Sequence, residues 1–94
     1  MWYNRGMNQK DNIREVITRR PVPLYSTDGT PEADKRVLFR VGHANGWTWT
    51  AYEADEVEMD DILCFGRVDG FESELGYFSV DEILSAGGFV EIPE

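Results

Sequence analysis

Residues 62–84 read I-L-C-F-G-R-V-D-G-F-E-S-E-L-G-Y-F-S-V-D-E-I-L. They spell a strand, a tight turn, a second strand and a helix entered without a loop. Ile62 to Val68 is rich in β-branched and aromatic residues. Asp69-Gly70 is a hairpin signal, because glycine takes φ > 0 without steric cost. The return strand, Leu75 to Phe78, runs into Ser79 and Glu82, which have the S-x-x-E spacing of a capping box. Phe78 and Ile83 fall at the positions of a hydrophobic staple. Gly87-Gly88 ends the helix, since glycine accepts the left-handed position after a C-cap.

Upstream of this unit, Trp47-Thr48-Trp49-Thr50-Ala51-Tyr52 alternates strongly. It predicts a strand with Trp47, Trp49 and Ala51 on one face and Thr48, Thr50 and Tyr52 on the other. Asn45-Gly46 turns it back onto a strand over 36–41, where Val37, Phe39 and Val41 alternate. Near the start, Ile13, Val16 and Ile17 follow i, i+3, i+4, which predicts a short helix capped by Asp11 or Asn12 and stopped by Pro21. Pro21 and Pro23 each push the residue before them out of the α region, so the stretch over 21–25 is expected to be extended. The polar connection over 26–35, with Asp28-Gly29 and Pro31, is expected to move most. Phe89-Val90-Glu91-Ile92 is a candidate edge strand.

The expected fold is therefore α+β: a four-stranded antiparallel meander with two short helices packed on one face. Residues 1–10 read as a flexible lead-in and 11–94 as a single domain; Met7 offers an alternative start to Met1. Ninety-four residues suffice for one modest core.

Charge narrows the partners. Residues 51–94 hold thirteen acids and one base, Arg67, for a net −12; residues 1–50 hold five acids and eight bases, for +3. Such a chain is repelled by nucleic-acid phosphate and by anionic membrane, and is drawn to a basic protein surface. The alternative is an acidic surface that only keeps a small domain soluble. No apolar run reaches the length of a membrane span, so a cytoplasmic location is expected. A lone cysteine, Cys64, excludes an internal disulfide.

Catalytic motifs are absent. His43 is the single histidine and reads as a surface or hydrogen-bonded side chain. Cys64, in the frame of Ile62 and Val68, reads as an inert core thiol. No glycine-rich loop opens a helix after a parallel strand, so no nucleotide cofactor is implied. The acidic run Glu53, Asp55, Glu56, Glu58, Asp60 and Asp61 lacks the spacing of a calcium loop, and neither metal nor cofactor is expected. Trp47 and Trp49 with Tyr77 and Phe78 would suit a stacking platform for single strands, but they lack basic neighbours and read better as core.

One family fits these residues. The succession Pro23-Leu24-Tyr25, Val37 to Val41, Trp47-Thr48-Trp49, Tyr52-Glu53, Phe65-Gly66, Val68-Asp69-Gly70, Glu72, Glu74-Leu75-Gly76-Tyr77-Phe78-Ser79 and Glu82-Ile83 resembles the domain-of-unknown-function family numbered 2958. These are small proteins of plasmids, phages and integrated elements. The chain departs from the family pattern at Thr50, where an aromatic is usual, and in its acidic end. The resemblance implies a mobile-element context and no activity.

Charge and context together give the functional expectation: a non-enzymatic protein-binding module, an anti-defence inhibitor with anti-CRISPR as its narrowest form. It would mimic DNA by offering carboxylates to the basic channel of a nucleic-acid-binding host defence protein. The expected contact set is Glu53, Asp55, Glu56, Glu58, Asp60 and Asp61, extended by Asp69, Glu72 and Glu74. Two alternatives stand beside it. One is a small hydrolase or ligand-binding enzyme with a site near His43 and Cys64; the other is a homodimeric structural module closed by an exposed aromatic face.

Overall fold

A computed structural model describes the backbone of Trp2–Tyr3, and residues 8–57 and 61–93 in full. The elements follow one another as β1 (Trp2–Tyr3), α1 (Gln9–Arg19), a 3-10 turn (Glu32–Asp34), β2 (Phe39–Gly42), β3 (Thr48–Val57), β4 (Asp61–Asp69), β5 (Ser73–Ser79), α2 (Val80–Ser85) and β6 (Phe89–Pro93). The class is α+β, with an antiparallel sheet and two helices. The sheet is larger than a four-stranded meander. Strands β2 to β5 form the meander, β6 returns to pair with β2, and the two-residue β1 pairs with β6, giving the order β1-β6-β2-β3-β4-β5.

The return of β6 follows from the helix before it. Ser79 caps α2, its Oγ accepting from the Glu82 N–H at 3.2 Å. At the other end, Gly88 N–H reaches Ile83 O (2.9 Å) and Gly87 N–H reaches Leu84 O (3.1 Å), with Gly87 at φ 100°. That is a Schellman pair, which satisfies the last carbonyls and reverses the chain toward β2. Phe78 and Ile83, the staple residues, are both 8 % exposed.

Helix α1 begins earlier than expected. Asn8 caps it, its side chain accepting from the N–H of Lys10 and Asp11. Gln9 then ties the helix to the sheet end: its amide oxygen accepts from Val90 N–H (2.7 Å) and its amide nitrogen donates to Gly88 O (3.2 Å). Asn8 to Lys10 thus belong to the folded unit. Ile13 and Val16 of α1 and Val80 and Ile83 of α2 join Phe39, Val41, Ala51, Ala54, Ile62, Cys64, Phe78, Val90 and Ile92 in one core cluster. Full burial of side chains such as Phe39 and Ile13 contributes about 1.5–3 kcal/mol each.

Two backbone features interrupt the regular sheet. The β3–β4 register shifts between Ala51 and Glu53, so Tyr52 is an extra residue. Before this bulge Ala51 lies opposite Gly66; after it Ala54 lies opposite Cys64 and Glu53 opposite Phe65. The slip keeps Ala54 in the core and turns Glu53 to the other face, because side chains alternate with period two. Gly66 permits the crossing, since a Cβ there would sit 1.7 Å from Thr50 O. The turn expectation at Gly70 is corrected. Its φ is not positive, and a Cβ would meet the Trp47 ring at 2.6 Å, so glycine is required by close approach.

Candidate functional site

The nine carboxylates expected to form one contact array divide into distinct environments. Glu53 is 1 % exposed. The chain over 22–27 wraps over it: Tyr25 N–H (2.8 Å), Thr27 N–H (3.1 Å) and the Thr27 hydroxyl all donate to its carboxylate. Lys35 Nζ stands 3.9 Å away, donates to Thr27 O and lies 5.9 Å from the Phe65 ring centroid. Burial pushes the Glu53 carboxyl up, but the Thr27 hydroxyl, the two backbone donors and Lys35 outweigh it, so the group stays below its ordinary value.

Asp55, Glu56 and Asp61 are likewise engaged within the fold. Asp55 accepts from Leu24 N–H (3.0 Å), beside the Ala54 N–H to Val22 O bond (2.9 Å). Glu56 pairs with Arg14 at 3.1 Å. Asp61 receives the Ser79 hydroxyl (2.6 Å), Ile62 N–H (2.7 Å) and Asp81 N–H (3.2 Å), which ties the start of β4 to the entry of α2. Burial raises the Asp61 carboxyl, and those three donors more than cancel it, leaving it below its ordinary value. Glu58 and Asp60 lie outside the described residues. The connection over 26–35, expected to move most, is held at both ends by these contacts.

Asp69, Glu72 and Glu74 differ. All three are exposed, and their side chains make no hydrogen bond or ion pair among the described residues. They surround Phe71, which is 94 % exposed. Phe71 meets Trp47 edge-on at 5.4 Å, and Trp47 leans on Trp49 at 5.8 Å. Trp49 packs against the core, so this aromatic row anchors the hairpin tip to the body of the sheet. Of the described carboxylates in the expected contact set, Asp69, Glu72 and Glu74 are the ones whose side chains make no hydrogen bond or ion pair with a described residue.

A fourth group was not foreseen. Glu32, in the 3-10 turn, accepts from Tyr52 OH (2.8 Å) and Arg67 Nε (3.0 Å), and Arg67 also pairs with its second oxygen. The Arg67 and Tyr52 hydrogen bonds hold Glu32 at about 2, and burial together with Glu32 pushes the Tyr52 phenol to about 12. The one hint in the sequence was that Arg67 is the sole base after residue 50. It serves the fold, pairing with Glu32 and donating to the Ser73 hydroxyl (3.3 Å) at the base of the hairpin, where the Asp69 charge also acts on it.

His43 and Cys64 are not brought together. His43 lies opposite Trp47 at the end of β2–β3, whereas Cys64 lies opposite Ala54. Seven residues of strand separate these positions, roughly 20 Å at the strand rise. Both His43 nitrogens serve local structure: Nδ1 accepts from Asn45 N–H (3.0 Å), and Nε2 donates to Ala86 O (2.8 Å). Cys64 is fully buried, and burial pushes its thiol up, away from the reactive thiolate. Trp47 and Trp49 do not share a platform with Tyr77, which alternates to the face opposite Phe78 and packs on Phe65 (5.1 Å) and Tyr25 (6.1 Å). Among the described residues no three His, Cys, Asp or Glu are placed to hold a metal ion, and no helix is long and apolar enough to cross a membrane.

The chain matches no protein-family model, and neither curated protein sequences nor solved structures contain a significant match to it.

Proposed function

We propose that this chain is a non-enzymatic protein-binding module that offers the β4–β5 hairpin to a basic protein surface. One observation carries this: Asp69, Glu72 and Glu74 stay exposed and unengaged around an exposed Phe71, while the described carboxylates of the 53–61 run are engaged within the fold. A fold that uses its acids internally where it can, and leaves three at one tip beside an anchored aromatic, has the makings of a contact site. Aromatic anchors supply contact area, and charges of one sign steer a partner of the other.

The partner class that fits is a cytoplasmic nucleic-acid-binding protein whose groove is lined with Lys and Arg to receive phosphates. The resemblance to a mobile-element family supports an anti-defence role, with anti-CRISPR inhibition as its narrowest form. The test is affinity capture from host lysate with wild type and a Glu72→Lys/Glu74→Lys variant, followed by binding kinetics on the recovered partner. Association is expected to slow steeply between about 0.05 and 0.5 M salt, because screening shortens to roughly 10 Å by 0.1 M. It is also expected to slow in the variant, with nucleic acid competing for the partner. A partner indifferent to salt, to charge reversal and to nucleic acid overturns the proposal.

A further inference from the structure

The two sides of the sheet end differently. Beyond β2, strand β6 is itself paired by β1, through Trp2↔Pro93 and Tyr3↔Ile92. On the other side β5 is the last strand, and no described residue pairs with its outer edge. Register decides which of its backbone groups look outward. The His43 N–H to Trp47 O bond (3.1 Å) fixes the alternation in β2–β3, so Trp49 and Ala51 turn their backbone groups to β2. Thr48 and Thr50 then turn to β4, Gly66 and Val68 to β5, and Glu74 and Gly76 back to β4. The Gly70 N–H to Glu72 O bond (3.0 Å) at the hairpin end falls on the same alternation. The outward N–H and C=O groups of β5 therefore include those of Leu75 and Tyr77.

Those two residues are also the exposed apolar side chains of the strand, at 42 % and 51 %. Between them Gly76 carries no side chain, and a Cβ there would meet nothing within 4 Å on its face of the sheet. An unpaired edge of this kind is a template for another strand, and natural proteins usually blunt it. Among the described residues nothing blunts it except the acids at and beside its tip.

We infer that β5 receives an extended segment of the protein partner by strand addition. The segment would alternate apolar residues, facing Leu75 and Tyr77, with Lys or Arg residues facing Glu74 and, at the tip, Glu72. This rests on the protein-binding reading above and specifies its geometry. A second copy of this chain is a poorer occupant. Its β5 and hairpin tip carry no Lys or Arg to complement Glu72 and Glu74, only the same acids.

The probe is an acetylated peptide of alternating Lys and Val, titrated into the full-length protein at low salt, with amide exchange read by NMR. Exchange at the Leu75 and Tyr77 amides is expected to slow, with little change at Gly76. Leu75→Pro removes an outward donor and no bond to β4, a substitution edge strands tolerate. It is expected to weaken binding by roughly tenfold or more, about 1.4 kcal/mol per decade. Methylating alternate amides of the peptide makes the same test on the unaltered protein, should that variant not fold. Binding that falls with salt and with Glu72→Lys/Glu74→Lys, yet ignores amide methylation, overturns strand addition and leaves the acidic contact standing. Binding lost on methylation but blind to charge reversal overturns the acidic reading, and the basic segment with it. A dimer by sedimentation that dissolves in Leu75→Pro makes the second copy the occupant and overturns the inference, as does a peptide that does not bind.

Discussion

Glu53 and Glu74 stand on strands separated only by β4, and their surroundings could hardly differ more. Glu53 receives three hydrogen bonds from a loop folded over it, with Lys35 behind. Glu74 lies on an open edge with no partner among the described residues. The contrast shows how little a count of acids says about an acidic surface. A carboxylate that meets backbone N–H groups is a structural part, as fixed as a core leucine, and only those left over remain for a partner to read.

The largest expected effect breaks the buried side of this contrast. Glu53→Ala leaves two loop N–H groups and the Thr27 hydroxyl without their acceptor and Lys35 without its counter-charge, and removal of one partner of a buried pair costs about 3–5 kcal/mol. Urea unfolding measures it. A loss below about 1 kcal/mol, the scale of an exposed ion pair, would show that the loop does not depend on Glu53.

Acid should sharpen the same contrast. Glu53 and Asp61 sit below their ordinary values of 4.5 and 3.8, and Glu32 sits at about 2. A depressed carboxyl contributes stability in full above its unfolded pKa, and that contribution is lost as pH falls through the folded value. Glu32→Gln is therefore expected to melt lower than wild type at pH 7. The gap should narrow from about pH 4.5 and close near pH 2. A gap that is constant with pH would remove the Arg67–Glu32 pair from the acid response.

The smallest effect falls on the hairpin. Asp69→Asn/Glu72→Gln/Glu74→Gln should change stability by no more than about 0.5 kcal/mol, as exposed substitutions do, while altering partner association. Loss of several times that amount would mean that these acids, too, are structural.

Much of the fold was legible because it is written locally. The Ser79–Glu82 cap, the paired glycines after α2 and the alternation of Trp47 to Tyr52 each involve neighbours in sequence, so physical rules of short range suffice. Gly70 was found at a turn, but for the wrong reason, since its contact with Trp47 spans twenty-three residues. The division among the carboxylates was illegible for a stronger reason. It depends on the bulge at Tyr52 and on a proline-stiffened segment folding back across β3, and neither leaves a local signature. Strand β6 was visible as a strand; its place beside β2 was not, because pairing order is a property of the whole sheet.

The extra residue at Tyr52 also sets a phase for everything behind it. Were Tyr52 instead paired in regular register with β4, the strand would be unbroken and its composition unchanged. The second half of the strand would, however, be rotated by one step, carrying Glu53 and Asp55 toward the helices and Ala54 toward the loop. Two charges would enter a space now filled by a methyl group, and the segment over 22–27 would lose the acceptors that hold it. The phase of the second half of β3 is thus set by the bulge and not by the strand's alternation alone. Whether one residue is skipped or paired decides which face of the sheet the acids belong to.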